Sequence, residues 1–440
     1  MSDQEKNKDV QTYTNDHLTV LVTKKPHCQI KFDVTVAKPA VEAAYQKAIK
    51  KVSKEVSIPG FRKGKAPVHF IQNKYAGAIK EEFIDIVLQT SFNEALELSQ
   101  LSPLKNSFKS PMIKECSKEK GAHFIIEFEA RLTPPDIKLE ELQVKKVTAP
   151  IITEEDQQEA IKQLLLRMAE FTPISDREVQ EDDFVNIQVT LFGTLPKVIE
   201  NHRVQVNNKS LPNWLYSTLI GKKAGETIEG QTEPSTEQES DLVTTDQSIP
   251  FKATVLSIWE AKAPELNDEI AKKIGLESVE DLKHKMNERL QQTAKEDAFE
   301  QQILLIERAL LDHYSLDIPK SYLEEEFKVR LEEYLEPLLK QELGDYVKQH
   351  MSSIEEQIRK ISLERLAIYF MLHVVAVKNQ ITPTQEEIRS EFSRQTSLMS
   401  INRGSITATN KEELEKQLYN LATEQKIKQF LLEHVTLIEE

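Results

Sequence analysis

Residues 57–70 read "SIPGFRKGKAPVHF". Pro59 and Pro67 each lack a backbone donor, and Gly60 and Gly64 favour bends, so the stretch cannot lie inside a regular helix or strand. It sits between two helical patterns. Upstream, Val41, Ala44, Tyr45, Ala48, Ile49 and Val52 recur at helical spacing after Pro39; downstream, a second helix is predicted over about 66–100, through "KEEFIDIVLQTSFNEALEL". Around this hairpin, "HLTVLVTKK", "CQIKFDVTV" and "AHFIIEFEARL" (122–132) alternate as strands with one apolar face. The quoted stretch is therefore the tip between two helices of an α+β domain spanning 1–132. Turns are normally built from small polar residues, yet this one carries Phe61 between a glycine and an arginine.

Charge sets the same tip apart. The whole chain is acidic, with a formal charge of −15 over 440 residues. From Gln46 to Lys80, however, nine Lys or Arg (47, 50, 51, 54, 62, 63, 65, 74 and 80) face one acid, Glu55. A cationic finger on an acidic protein implies an anionic partner, either nucleic acid or an acidic protein face. A basic helix alone would read as a solvated surface. The exposed aromatic at the tip argues for contact, because it serves no solubility purpose.

Two further compositions follow. Residues 133–172 form a connector and linker helix: "TPPDIKLEELQVKKV" is extended and proline-marked, and "TEEDQQEAIKQLLLRMAEF" is a helix with Thr153 and Asp156 placed as a capping box. Residues 173–262 form a small β-rich module, with strands in "FVNIQVTLFG", "TIEGQTEP" and "PFKATVLSIWEA". From 263 to 440 the pattern is helical throughout, with long, charged helices and narrow apolar faces that suggest arms. The apolar run "LAIYFMLHVVAV" (366–377) reads as their buried spine. At 12 residues it is too short for a membrane span, which needs roughly 20. The first residues hold no apolar signal segment, and Cys28 and Cys116 form no CxxC, so a cytoplasmic protein is expected, without a membrane partner.

Motifs for cofactor or metal chemistry are missing. Ten histidines make no HExxH or short ligand pair, no GxGxxG or GxSxG occurs, and "IGKKAGE" lacks the earlier glycine of a phosphate loop. No cofactor and no metal is expected. Glycine is scarce, 11 in the chain, which also favours helix over glycine-rich loops.

The order of parts resembles the trigger factor family, bacterial ribosome-associated chaperones with an FKBP-type peptidyl-prolyl isomerase domain. Gly60-Phe61-Arg62-Lys63-Gly64-Lys65-Ala66-Pro67 matches that family's ribosome-docking loop almost letter for letter; "NKYAG", "APELNDEIAKKIG" and "DIPKSYLEEEF" look like later family segments. The resemblance implies an α+β ribosome-binding domain, an FKBP-like domain and an extended all-helical client-binding domain. It implies docking beside the tunnel exit of the large ribosomal subunit, on a ribosomal protein and rRNA, through Gly60, Phe61, Arg62, Lys63, Gly64 and Lys65. Nascent and unfolded polypeptides would be the clients, and a homodimer off the ribosome is left open. For the isomerase pocket it implies Phe251, Trp214 and Leu211. There the sequence departs from the family, with Val189 or Leu191 at an aromatic place and no clear flap tyrosine in "DLVTTDQSIP". A ribosome-bound holdase with weak isomerase activity is one reading. The other is a stand-alone folding isomerase whose basic tip binds nucleic acid or another acidic partner.

Overall fold

In the computed structural model, the residues described are 10–57, 61, 64, 66–105, 107–208, 211–234, 248–341, 343–399 and 410–439, the side chains of 397–399 excepted. They form two compact units, Met1–Asp136 with Tyr314–Glu326, and Ile137–His313 with Phe327–Glu440. The fold is mixed, with a β/α N-terminal region and long C-terminal helices.

The first unit runs β1 (Val10–Thr14), β2 (Leu18–Lys25), β3 (Gln29–Val36), α1 (Lys38–Glu55), α2 (Val68–Lys74), α3 (Ala76–Ser99), β4 (Met112–Ser117) and β5 (Gly121–Glu129). Its sheet is antiparallel in the order β1-β2-β3-β5-β4. Alternate residues of the inner strands are buried: Leu18, Val20 and Val22, then Ile30, Phe32 and Val34, then Phe124, Ile126 and Phe128. Onto this face the helices lay Val41, Ala48, Ile49 and Val52 of α1 and Ile79, Phe83 and Val87 of α3. Each such side chain contributes roughly 1.5–3 kcal/mol on burial. The helix expected over 66–100 is broken at Tyr75, whose backbone lies outside the helical region, so α2 and α3 are separate.

Residues 314–326, which the sequence groups with the helical region, pack into this unit. The β2–β3 turn carries two successive non-glycine residues with positive φ, His27 (63°) and Cys28 (53°), so their amides point outward together. Asp317 receives both: one carboxylate oxygen accepts from the His27 N–H at 2.7 Å, the other from the Cys28 N–H at 2.8 Å. The Cys28 thiol donates to the Asp317 carbonyl, and the Glu129 carboxylate accepts from the Ser321 N–H and hydroxyl. Burial, then the charge of Asp317, pushes the Cys28 thiol up to about 12, so it stays a thiol donor.

The second unit begins with β6 (Gln143–Lys145) and α4 (Glu154–Arg167). The capping box is present at α4: the Thr153 hydroxyl accepts from the Asp156 N–H, and the Asp156 carboxylate accepts from the Thr153 N–H. Next come β7 (Glu170–Ile174), β8 (Phe184–Leu191), β9 (Lys197–Gln205), α5 (Asn213–Leu219), β10 (Thr227–Gln231) and β11 (Pro250–Lys262). These strands make one antiparallel sheet, β10-β11-β8-β9, with β7 also on β11. A half-buried ion pair fastens the turn before β8, where the Arg177 guanidinium grips the buried Asp183 carboxylate with both nitrogens, at 2.5 and 2.7 Å.

Helices complete the unit: α6 (Asp268–Lys273), α7 (Val279–His313), α8 (Lys320–Lys340, its first turns in the first unit), α9 (Gly344–Lys378), α10 (Gln385–Met399) and α11 (Lys411–His434), then β12 (Thr436–Ile438). At 35 residues, α7 and α9 are each ~52 Å long. The 366–377 run is buried on one side only. Ala367, Met371, Leu372, Val375 and Ala376 are inside, whereas Tyr369, His373 and Val377, four residues apart, form an exposed edge. No helix among the described residues is long and apolar enough to cross a membrane.

Strand β12 pairs in parallel with β6, bringing the end of the chain onto the connector. Buried Gln302 of α7 supports this pairing from behind: its Oε1 accepts from the Val147 N–H at 2.7 Å and its Nε2 donates to the Lys145 carbonyl at 3.0 Å. Gln302→Leu should leave both backbone groups unsatisfied, at about 1–3 kcal/mol each. Amide exchange of peptides covering 143–147 and 436–438 should accelerate together; unchanged protection there would show that Gln302 is not the support.

Candidate functional site

The tip lies between the C-terminus of α1 and the N-terminus of α2. Lys54 closes the last turn of α1, where a cation suits the helix dipole, and Pro67 caps α2, a position that needs no donor. Gly64 holds φ at +80°, and a Cβ there would meet only the Lys54 backbone, at an ordinary 4.0 Å, so the backbone angle rather than crowding favours glycine there. Phe61 is 41% exposed, and its ring meets Phe70 with centroids 5.9 Å apart. Val68 and Phe70, about half exposed, extend the apolar surface. Gly60, Arg62, Lys63 and Lys65 lie outside the described residues.

Exposed lysines lie along the helices that flank this surface. Lys47, Lys50, Lys51 and Lys54 on α1, Lys74 on α2 and Lys80 on α3 are exposed. Lys51 reaches the Glu82 carboxylate at 2.7 Å, a hydrogen bond that raises its pKa. An apolar centre with a cationic margin can desolvate against a partner while the charges steer the approach. Sequence reading singled out Phe61 but missed Val68 and Phe70. Their signal was available in "PVHF": two apolar residues in the first turn of a short helix whose buried contribution is Ile71 alone.

In the second unit, Phe251, Trp214 and Leu211 come together. Phe251 stands on β11, Trp214 on α5 and Leu211 just before it, all in one apolar core. The Trp214 and Phe251 rings lie 4.5 Å apart at 50°. Exposures of 3% for Phe251, 6% for Trp214 and 1% for Leu211 place them inside the module. Leu191 is paired directly with Phe251 across the β8–β11 ladder, and Val189 with Ala253; both aliphatic residues are buried. On the opposite strand Gly230 faces Phe251, and a Cβ there would stand 2.9 Å from the ring. Of the stretch 241–250, compared above with the family's flap, residues 241–247 lie outside the described set; within it, Ile249 exchanges hydrogen bonds near 3 Å with Thr232.

A third class of surface lies on the long helices. Leu304 of α7, Val329 and Leu339 of α8, Tyr369 and Val377 of α9 and Phe392 of α10 are exposed apolar side chains, set among charges along helix faces. Such scattered groups can meet many sequences without hydrogen-bond readout.

Comparison with known proteins shows the family of the chain. The family profile described as "Bacterial trigger factor protein (TF)" matches residues 18–164, and that described as "Bacterial trigger factor protein (TF) C-terminus" matches 278–433. The trigger factor of Protochlamydia amoebophila is 42% identical over 98% of this chain and 99% of its own length. That of Chlamydia abortus is 27% identical over 71% of each. A solved structure described as "Promiscuous Substrate Recognition in Folding and Assembly Activities of the Trigger Factor Chaperone" is 17% identical, covering 94% of this chain and 99% of that one with a TM-score of 0.44. The chain belongs to the trigger factor chaperone family.

The close approach of Gly230 to Phe251 gives a direct check on the packing of the second unit. Gly230→Ala should push the Phe251 ring against Trp214 and destabilise the module by about 1–3 kcal/mol, as overpacking does. Trp214 and Trp259 are the two tryptophans of the chain. With Trp259→Phe as background, the Trp214 emission maximum should move in the Gly230→Ala variant. An unmoved spectrum with unchanged stability would mean the ring has room to spare.

Proposed function

We propose that this chain is a cytoplasmic, ribosome-associated chaperone that receives nascent polypeptides at the tunnel exit of the large subunit. In this reading residues 1–132 dock on the ribosome, 133–172 connect, 173–262 form an FKBP-like module, and 263–440 hold clients. The observation that carries it is the exposed Phe61–Phe70 pair between two lysine-bearing helices, in a loop that resembles the family's docking loop. Phe61, Phe70 and Val68 supply the desolvated anchor. Arg62 would grip a carboxylate or phosphate bidentately, with Lys63 and Lys65 as point charges, while Gly60 and Gly64 let the backbone turn and approach closely.

Clients would be met by the exposed apolar groups of α7 to α10. Isomerase activity is the secondary part of the proposal, and the packing supports a weak catalyst. An isomerase must enclose an X-Pro amide in an apolar cavity while it rotates over a barrier of ~18–20 kcal/mol. Phe251 and Trp214 pack ring against ring and Leu211 is buried in the same core, so the three leave little surface for that amide. The stand-alone isomerase reading rests on these same three residues and is the weaker of the two.

Co-sedimentation with purified ribosomes tests the docking assignment. Phe61→Ala should weaken binding by roughly thirtyfold, the effect of removing a buried aromatic anchor of about 2 kcal/mol. Changing Phe61, Arg62 and Lys63 together to Ala should abolish it, with the circular dichroism unchanged. Retained sedimentation of the triple variant at physiological salt would refute the assignment. For the module, catalysis should be faint on a tetrapeptide and stronger on proline-limited refolding of an unfolded protein, whose slow phase takes tens to hundreds of seconds uncatalysed. Full activity on the tetrapeptide would overturn the weak-catalyst assignment.

A further inference from the structure

Within the second unit, the β8–β9 turn is covered by the ends of α8 and α9. The turn is Phe192-Gly193-Thr194-Leu195-Pro196, and it precedes the glycine-free stretch of β9. Leu195 and Val198 pack against a cluster centred on Leu338 of α8 and Val347, Ile354 and Ile358 of α9. Two tyrosines seal the contact. The Tyr334 hydroxyl donates to the Pro196 carbonyl at 2.6 Å, and the Tyr346 hydroxyl donates to the Gly193 carbonyl at 3.3 Å. The rings of Tyr346 and Phe192 lie 5.3 Å apart, and the Gln341 amide reaches the Glu200 carboxylate.

This cluster is separate from the core that holds Phe251 and Trp214. A pair of antiparallel helices cannot bury Leu338, Val347, Ile354 and Ile358 completely by itself, and the turn cannot hide Phe192 and Leu195. Each side therefore offers an apolar patch that the other covers. The bonding is generic: aliphatic contacts, one ring pair and hydroxyls on turn carbonyls, with no ladder of backbone hydrogen bonds. Burial raises the pKa of both tyrosines, which keeps them as donors. The fit also carries a cost, since Gln341 Oε1 is buried with no hydrogen-bond partner among the described residues. A contact of this kind is held by being intramolecular, where the effective concentration of the arm end is high, more than by exclusive complementarity.

We propose that the α8–α9 end is the chain's own occupant of an apolar polypeptide-docking surface at residues 192–198. Extended segments bearing aliphatic side chains and hydroxyl or amide donors satisfy the same turn carbonyls and compete with the arm end for the surface. The proposal rests on the chaperone reading and adds a location and a self-blocking step to it. Because the arm end must leave first, the apparent affinity for such a segment is reduced by the fraction of molecules that are open.

Arm-side and turn-side substitutions separate this from a purely structural contact. The full-length chain is studied by hydrogen exchange over peptides 192–200 and 334–350. Affinity is measured for reduced, carboxymethylated α-lactalbumin, a permanently unfolded probe. Tyr334→Phe with Tyr346→Phe removes both hydroxyls and leaves the turn intact; exchange in both peptides should rise about tenfold, and the probe should bind several-fold tighter. Leu195→Asp should also raise exchange in both peptides, but should weaken probe binding, since it places a charge on the docking surface itself. Opposite signs of the two affinity changes are the expected result. Equal signs, unchanged affinity despite raised exchange, or no change of exchange in the tyrosine variant would each overturn the proposal. Absence of probe binding to wild type and both variants would instead refute the chaperone reading, and this proposal with it.

Discussion

One carboxylate, that of Asp317, decides which residues make up the first unit. It satisfies two backbone amides at the His27–Cys28 turn, where positive φ at both residues aims the N–H groups the same way. Hydrogen bonds from backbone donors to a charged acceptor are among the stronger ones available, at about 1.5–3 kcal/mol. Ser321 on Glu129 and Lys320 on the His27 carbonyl extend the attachment. A segment some 290 residues away in sequence is thereby built into the end of the β2–β3–β5 sheet. Folding of the first unit is coupled to the middle of the helical region, because the unit is incomplete until 314–326 arrives. Such long-range closure is slow relative to local hairpins and helices.

Alternation made much of that unit legible beforehand. Leu18, Val20 and Val22, or Phe124, Ile126 and Phe128, place strands and their inner face with no further information, and the Thr153–Asp156 pair marks the start of α4 as read. Helices and strands whose pattern lives in their own side chains were visible. The attachment of 314–326 was not, because its recognition is of backbone groups at a turn made by His27 and Cys28, which advertise no positive φ. The break at Tyr75 was hidden for a similar reason: Tyr75 and its immediate neighbours are not breakers, and the nearby Gly77 falls inside the first turn of α3. The 366–377 run misled in the opposite direction, since continuous apolarity conceals the exposed edge of Tyr369 and Val377.

At the candidate sites, legibility followed chemistry. The tip was readable from charge, glycines and one conspicuous aromatic; its second aromatic, Phe70, sat inside what looked like ordinary helix. Phe251, Trp214 and Leu211 do converge in space, but convergence in a β-rich module is also what any core produces. Sequence could point to the residues without saying whether they enclose a cavity or one another. Leu191 opposite Phe251 tips that balance, because an aliphatic side chain leaves the aromatic to pack against Trp214 rather than frame an open floor.

Holding and isomerising make opposite demands on apolar surface. A holdase needs apolar groups that are exposed, dispersed and replaceable, because each client is different and must also be released. A rotamase needs a few that are enclosed and fixed, because desolvation of one amide is the source of the rate. In this chain exposed apolar groups occur at the tip, on α2 and along the long helices, as well as on strands and loops such as Met112 and Ile151, while those around Phe251 are enclosed and packed together. The turn at 192–198 falls between these extremes: it is apolar and covered, yet covered by the end of a helical pair where Gln341 Oε1 has no partner among the described residues. A permanent core would be expected to eliminate that defect, since a buried unsatisfied acceptor costs about 1–3 kcal/mol. A surface that is uncovered in use, as proposed for this turn, would gain from it, because the defect disfavours the covered state.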